Sequence, residues 1–198
     1  MGETTGPRLR ADARRNRERL LAEARAAFLA HGTEASLEEI AACAGVGIGT
    51  LYRHFPTRQA LLEALLRERF DALAATGRDL LGGRRPPEAA LRVWVLALVE
   101  MSTTYRGLTA VLVDTLRDDA SDLHASCVAM RDAGAALLTA AQRAGAVRSD
   151  LAALDVLTLV SAVAWAHERT PDGARERLDR LLDIVFTGLA APPVTRSS

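Results

Sequence analysis

Apolar positions recur every three and four residues along almost the whole chain, and the alternating runs that a half-buried strand needs are lacking. The pattern predicts an all-α protein of about nine helices. A first helix is expected from about Ala11 to His31, burying Leu20, Leu21, Ala24, Ala27 and Phe28, with Gly32 ending it. Ser36-Leu37-Glu38-Glu39 reads as a capping box that opens a second helix running to about Ala44. Gly45 breaks that helix, and a short third one spans Ile48 to His54. Thr57 caps a long fourth helix that reaches about Leu81.

The clearest punctuation is Gly82-Gly83-Arg84-Arg85-Pro86-Pro87. Pro87 suits the first turn of a fifth helix reaching Tyr105. A short sixth segment follows from Gly107 to Arg117. Ser121 caps a seventh helix that stops at Gly145. Asp150 opens an eighth that closes before Pro171, and Asp172 opens a ninth that ends at Ala191. Residues 1–10 read as a flexible basic arm and residues 192–198 as a disordered tail. No internal repeat is visible.

Composition narrows the function. The chain has 198 residues, 49% of them hydrophobic, enough to bury a sizeable core. Its 25 basic and 25 acidic residues cancel, which by itself argues against a nucleic-acid partner. Every basic side chain is arginine, and Arg8, Arg10, Arg14, Arg15, Arg17 and Arg19 crowd the N-terminus against only Asp12 and Glu18. They suit phosphate contact, or a solvated helix face paired with Glu18 and Glu23. Cys43 and Cys127 form no disulfide framework or metal spacing, and each reads as a small buried hydrophobe. Neither His124 nor His167 has a second ligand at a convincing spacing, so no metal or cofactor is expected. No apolar run is long enough for a membrane span, and the expectation is a soluble, cytoplasmic protein.

The chemistry concentrates between Ser36 and Arg58. Ala41 is small enough for two helices to cross closely, and Gly45 permits the positive φ of a sharp turn. Ile40, Val46 and Leu51 are spaced as an apolar seam that Phe28 can close. The short third helix then exposes Thr50, Arg53 and His54, with Tyr52 alongside. Such a helix fits a major groove. Thr57 and Arg58 add a hydroxyl, a cation and a helix start suited to phosphate. Phe55 reads better as a core aromatic.

The string Gly32-Thr33, Ser36-Leu37-Glu38-Glu39-Ile40-Ala41 and Ala44-Gly45-Val46-Gly47-Ile48-Gly49-Thr50-Leu51-Tyr52-Arg53-His54-Phe55-Pro56-Thr57-Arg58 resembles the TetR family of regulators. The likeness covers about a quarter of the chain, residues 12–62. It implies a homodimer with a three-helix DNA-binding head at 11–56 and a helical ligand-binding and dimerisation body at 57–191. The protein would be a repressor released from double-stranded, pseudo-palindromic operator DNA by a small molecule. It also implies phosphate contacts by Ser36, Tyr52, His54 and Arg58, and a groove-facing set of Gly47, Ile48, Gly49, Thr50 and Arg53. Relatives often place a serine or threonine where this chain has Gly47. Glycine is a weaker cap, and Gly47 and Gly49 offer nothing to bases, so direct readout rests on Ile48, Thr50 and Arg53.

For the body, the resemblance makes Trp94, Leu98, Met101, Tyr105, Met130 and Trp165 candidates for a mostly apolar effector pocket, against the plainer reading of core. Leu154, Leu157, Val160, Ser161 and Ala164 on the eighth helix, and Leu178, Leu181, Leu182, Val185 and Leu189 on the ninth, are candidates for a twofold interface. An alternative is a small-molecule-binding helical protein with weak or vestigial DNA binding. An enzyme would need a nucleophile–base pair, a metal cluster or a phosphate loop, and none is evident; no catalytic residue is assigned.

Overall fold

The computed structural model describes residues 5–104, 118, 121–168 and 174–191. Among them are eight α-helices: α1 (Thr5–His31), α2 (Leu37–Cys43), α3 (Ile48–His54), α4 (Arg58–Gly82), α5 (Pro87–Thr104), α6 (Asp122–Arg143), α7 (Ala153–Glu168) and α8 (Ala174–Leu189). A short 3₁₀ turn, Gly32–Glu34, links α1 to α2. The expected segment Gly107–Arg117, Tyr105, Asp172 and the tail 192–198 lie outside the described residues.

Two boundaries differ from the sequence pattern. The helix α1 begins at Thr5, so residues 5–10 are helical and not an arm. Pro7 lies in the first turn, where its missing N–H needs no partner, and Arg8, Leu9 and Arg10 are good helix formers. The helix expected from Asp150 starts at Ala153. Asp150 is occupied elsewhere: Arg148 donates from Nε and Nη2 to its two oxygens, both at 2.7 Å, and holds that carboxyl below its usual range. The helix start is served by Asp155, which accepts the Ala152 N–H at 3.2 Å.

The other ends follow their residues. Ser36, Thr57 and Ser121 accept the N–H groups of Glu39, Ala60 and His124 at 3.2, 3.0 and 3.0 Å. The helices α2 and α6 end alike. Gly45 and Gly145 take φ of 68° and 69°, and the next residues return to Ala41 and Ala141 carbonyls. That double bond pattern needs a left-handed residue, which glycine adopts without strain.

The described chain gathers into two units that divide within α4, at Glu68 and Arg69. In the head, α1 packs on α2 and α2 on α3. Leu20, Leu21, Phe28, Ile40, Ala41, Leu51 and Phe55 are buried there. In the body, α5 packs on α6 and α7, and α7 on α8. An isolated antiparallel bridge, Val147 to Ala190, ties the end of α6 to the end of α8. No helix among the described residues is long and apolar enough to cross a membrane.

Candidate nucleic-acid interface

The helix α3 has one face fixed by the core and one facing out. Leu51 is fully buried in the head. Ile48 and Tyr52 remain 37% and 44% exposed, and Arg53 is exposed beside them. Arg53 Nη2 donates to Thr50 Oγ1 at 2.8 Å, so the guanidinium is drawn back one turn toward the start of α3. Gly47 caps α3 with no side-chain bond, at an ordinary φ of −73°. A Cβ added at Gly47 or Gly49 would meet nothing within 4 Å.

Residues expected to work together take different roles. Ser36 accepts from Glu39 N–H and donates to a Glu38 carboxylate oxygen at 3.1 Å. His54 is half-buried, its ring 6.3 Å from Phe55. Phe55 is core, as read, and Arg17 sits over its ring at 5.5 Å. Thr57 is exposed at the start of α4. Arg58 is a structural clasp: Nη1 donates to the carbonyls of Thr33 and Ala35, at 2.9 and 2.5 Å, joining α4 to the α1–α2 link. The sequence string gives no sign of that role.

Most described arginines of α1 have partners. Arg14 pairs with Glu18 at 3.6 Å and Arg15 with Asp12. Arg19 donates to Asn16 at 2.6 Å. Arg17 and Arg25 both approach Glu68, at 3.9 and 3.1 Å. The pairs of Arg14 and Arg15 are largely exposed, where such contacts contribute little. Cys43 is exposed, against the buried role expected: the inward stripe of α2 is Leu37, Ile40, Ala41 and Ala44, and position 43 falls outside it. Cys127 is half-buried, and burial raises its thiol pKa, with Arg131 opposing. Among the described residues no group of three acidic, histidine or cysteine side chains could hold a metal.

In the body the candidates separate. Trp94, Leu98 and Met130 are buried and Met101 half-buried, but Trp165 is 58% exposed and lines no interior. Trp94 is the centrepiece. Its Nε1 donates to the Leu73 carbonyl at 3.0 Å. A Cβ on Gly134 would collide with its six-membered ring, and one on Gly77 would meet Ala133 Cβ at 2.8 Å and Trp94 Nε1 at 3.1 Å. Two mid-helix glycines thus cut the slot for the indole. Beside it lies a cavity of about 10 Å³, room for one water, lined by Leu91, Trp94, Gly134, Leu138, Ala153, Val156 and Leu157.

The proposed interface stripes are mostly internal. Val160, Ala164, Leu182, Val185 and Leu189 are buried within this chain, and Leu157, Leu178 and Leu181 are half-buried. The outward faces carry Leu154 and Ser161, and also Leu159 and Trp165 on α7 and Ile184 on α8. Each helix has two apolar faces, and the sequence stripe merges them.

Two family models match this chain. One, described as "Bacterial regulatory proteins, tetR family", covers residues 20–65. The other, described as "Transcriptional regulator SbtR-like, C-terminal domain", covers residues 86–191, more than half of the chain. The TetR transcriptional regulator SCO0520 of Streptomyces coelicolor is 36% identical in sequence, with a TM-score of 0.70 over 88% of this chain and 98% of that one. The HTH-type transcriptional repressor KstR2 of Rhodococcus jostii is 25% identical over 89% of this chain and 92% of its own length. LfrR of Mycolicibacterium smegmatis, also an HTH-type transcriptional repressor, is 38% identical over 88 residues, 44% of this chain and 47% of LfrR. An N-terminal helix-turn-helix with an outward α3, continued into a helical body matched from residue 86 to residue 191, places this chain in the TetR family of DNA-binding transcriptional regulators, which are not enzymes.

Proposed function

We propose that this regulator is a cytoplasmic repressor that binds a pseudo-palindromic operator as a homodimer and is released by a small, mostly apolar effector. The observation that carries the reading is α3, with Leu51 sunk in the core and Ile48, Tyr52 and Arg53 turned outward. Repression is supported by the names of KstR2 and LfrR. A twofold partner is supported by the exposed Leu154, Trp165 and Ile184, large apolar groups on α7 and α8. In such a dimer the two recognition helices must stand about 34 Å apart to enter successive major grooves. The cavity beside Trp94 holds one water, so an effector there would have to open it, and the apolar lining suits an apolar one. An effector acts only if it binds the released state more tightly than the DNA-bound one; tenfold requires about 1.4 kcal/mol of difference.

The test is a titration of the protein into a labelled duplex from its own promoter, against scrambled duplex, read by fluorescence anisotropy at two salt concentrations. A preference of about 10³ is expected. It should disappear in a Tyr52→Ala/Arg53→Ala double variant, with the protein sedimenting as a dimer. Specific binding by a monomer would overturn the dimer, and full affinity in the double variant would overturn the α3 assignment.

A further inference from the structure

Three features at α3 make no contact with the rest of the head. The bond from Arg53 Nη2 to Thr50 Oγ1 joins two residues on the outward side of the helix. Gly47 and Gly49 lie in open space at ordinary backbone angles, so neither packing nor φ requires glycine there. Glycine costs helix stability, and at Gly47 a serine or threonine would cap better. The effect is a helix start with one exposed side chain of any size, Ile48, and a single cation folded back toward it.

Recognition helices touch base edges with their first turns. An arginine in the last turn of α3, left to itself, samples many rotamers and is as well placed for phosphate as for bases. Thr50 removes that freedom. Its hydroxyl accepts from one terminal nitrogen and leaves the donors at the rest of the guanidinium fork for a planar pair of acceptors. In the major groove those acceptors are O6 and N7 of guanine, the commonest specific partner of arginine.

We propose that Thr50 is a positioning residue for Arg53, and that the sequence specificity of each half-site converges on one guanine that this pair reads. The inference rests on α3 being the DNA-reading helix and says which base it reads and through which residue. Affinity would come mainly from phosphate contacts, and discrimination from one bidentate pair, so exchange of that guanine should cost about 5- to 150-fold. Thr50→Val keeps the β-branch and the helix while removing the acceptor.

The experiment selects binding sites from randomised duplexes with the full-length protein, then measures each base exchange by anisotropy. Wild type, Thr50→Val, Thr50→Ser, Arg53→Ala and the Thr50→Val/Arg53→Ala double variant are compared, with melting curves confirming that each is folded. The expected result is one guanine per half-site whose preference Arg53→Ala abolishes and Thr50→Val lowers several-fold. Thr50→Ser should restore it, and Thr50→Val should add nothing in the Arg53→Ala background. A Thr50→Val loss that persists undiminished without Arg53 would overturn the proposal, since Thr50 would then contact DNA for itself. Selected sites with no guanine that depends on Arg53 would overturn it too, while leaving the repressor intact. Failure of wild type to select any sequence would remove both.

Discussion

In the head, the residues that pack and those that face outward alternate within one short stretch, from Ser36 to Arg58. Leu37, Ile40 and Leu51 go in, and Ile48, Tyr52 and Arg53 come out. In the body, Leu73, Gly77, Trp94 and Gly134 meet closely, residues from three helices. The head therefore acts through local order, a short helix aimed by its own turn. The body depends on the fit of a single large side chain into a slot that three helices must build together. A change in the head should alter what is bound, and a change in the slot should alter whether the body holds.

The strongest way to break that contrast is Trp94→Ala. It empties the slot and leaves the Leu73 carbonyl without its indole donor. A loss of about 3–5 kcal/mol is expected, by analogy with other buried aromatic truncations. Urea unfolding followed through the emission of Trp165, the remaining tryptophan, measures it. A loss under about 1 kcal/mol would mean that the three helices close around the gap and that the slot is not rigid.

Arg58→Met comes next, because Arg58 is the head's counterpart of Trp94: a side chain that reaches backbone carbonyls across the fold. Charged hydrogen bonds of this kind contribute about 1.5–3 kcal/mol when removed. Thermal melting should show a loss in that range. The salt dependence of DNA binding separates this role from the phosphate contact that the family string implies. A clasp leaves the slope of log affinity against log salt unchanged, whereas a lost phosphate contact lowers it by about one.

The two regions also differ in what their sequence discloses. The helix starts at Ser36, Thr57 and Ser121 and the stops at Gly45 and Gly145 are legible because each is decided by a few neighbouring atoms. On α3 the outward positions of Tyr52 and Arg53 are legible for the same reason, whereas Thr50 and His54, also read as exposed, are half-buried. The clasp of Arg58 on Thr33 and Ala35 was not legible, because no local pattern says where a long side chain will end. Nor was the exposure of Trp165, or the split of α7 and α8 into inner and outer apolar faces: periodicity marks a residue as apolar without saying whose surface covers it. Gly77 and Gly134 did leave a trace, since glycine inside a helical run signals a close approach, though not its partner.

Glycine offers the sharpest form of the comparison, because one substitution should change sign between the two regions. Gly134→Ala adds a methyl group that collides with the buried Trp94 ring, which is held by its bond to Leu73. Overpacking of this kind costs about 1–3 kcal/mol, reduced by the part that alanine's better helix propensity returns. Gly49→Ala meets no atom within 4 Å and sits at a backbone angle that any residue adopts. Only the propensity gain remains, and the head should become more stable by about 0.4–1 kcal/mol, chiefly because the unfolded chain loses freedom. Parallel urea titrations of the two variants measure both signs. If Gly49→Ala destabilises the head, the open space at α3 is not empty in solution, and glycine there serves the fold. If it stabilises the head, glycine at 49 is kept at a cost in stability, and the reason must lie in what α3 approaches from outside.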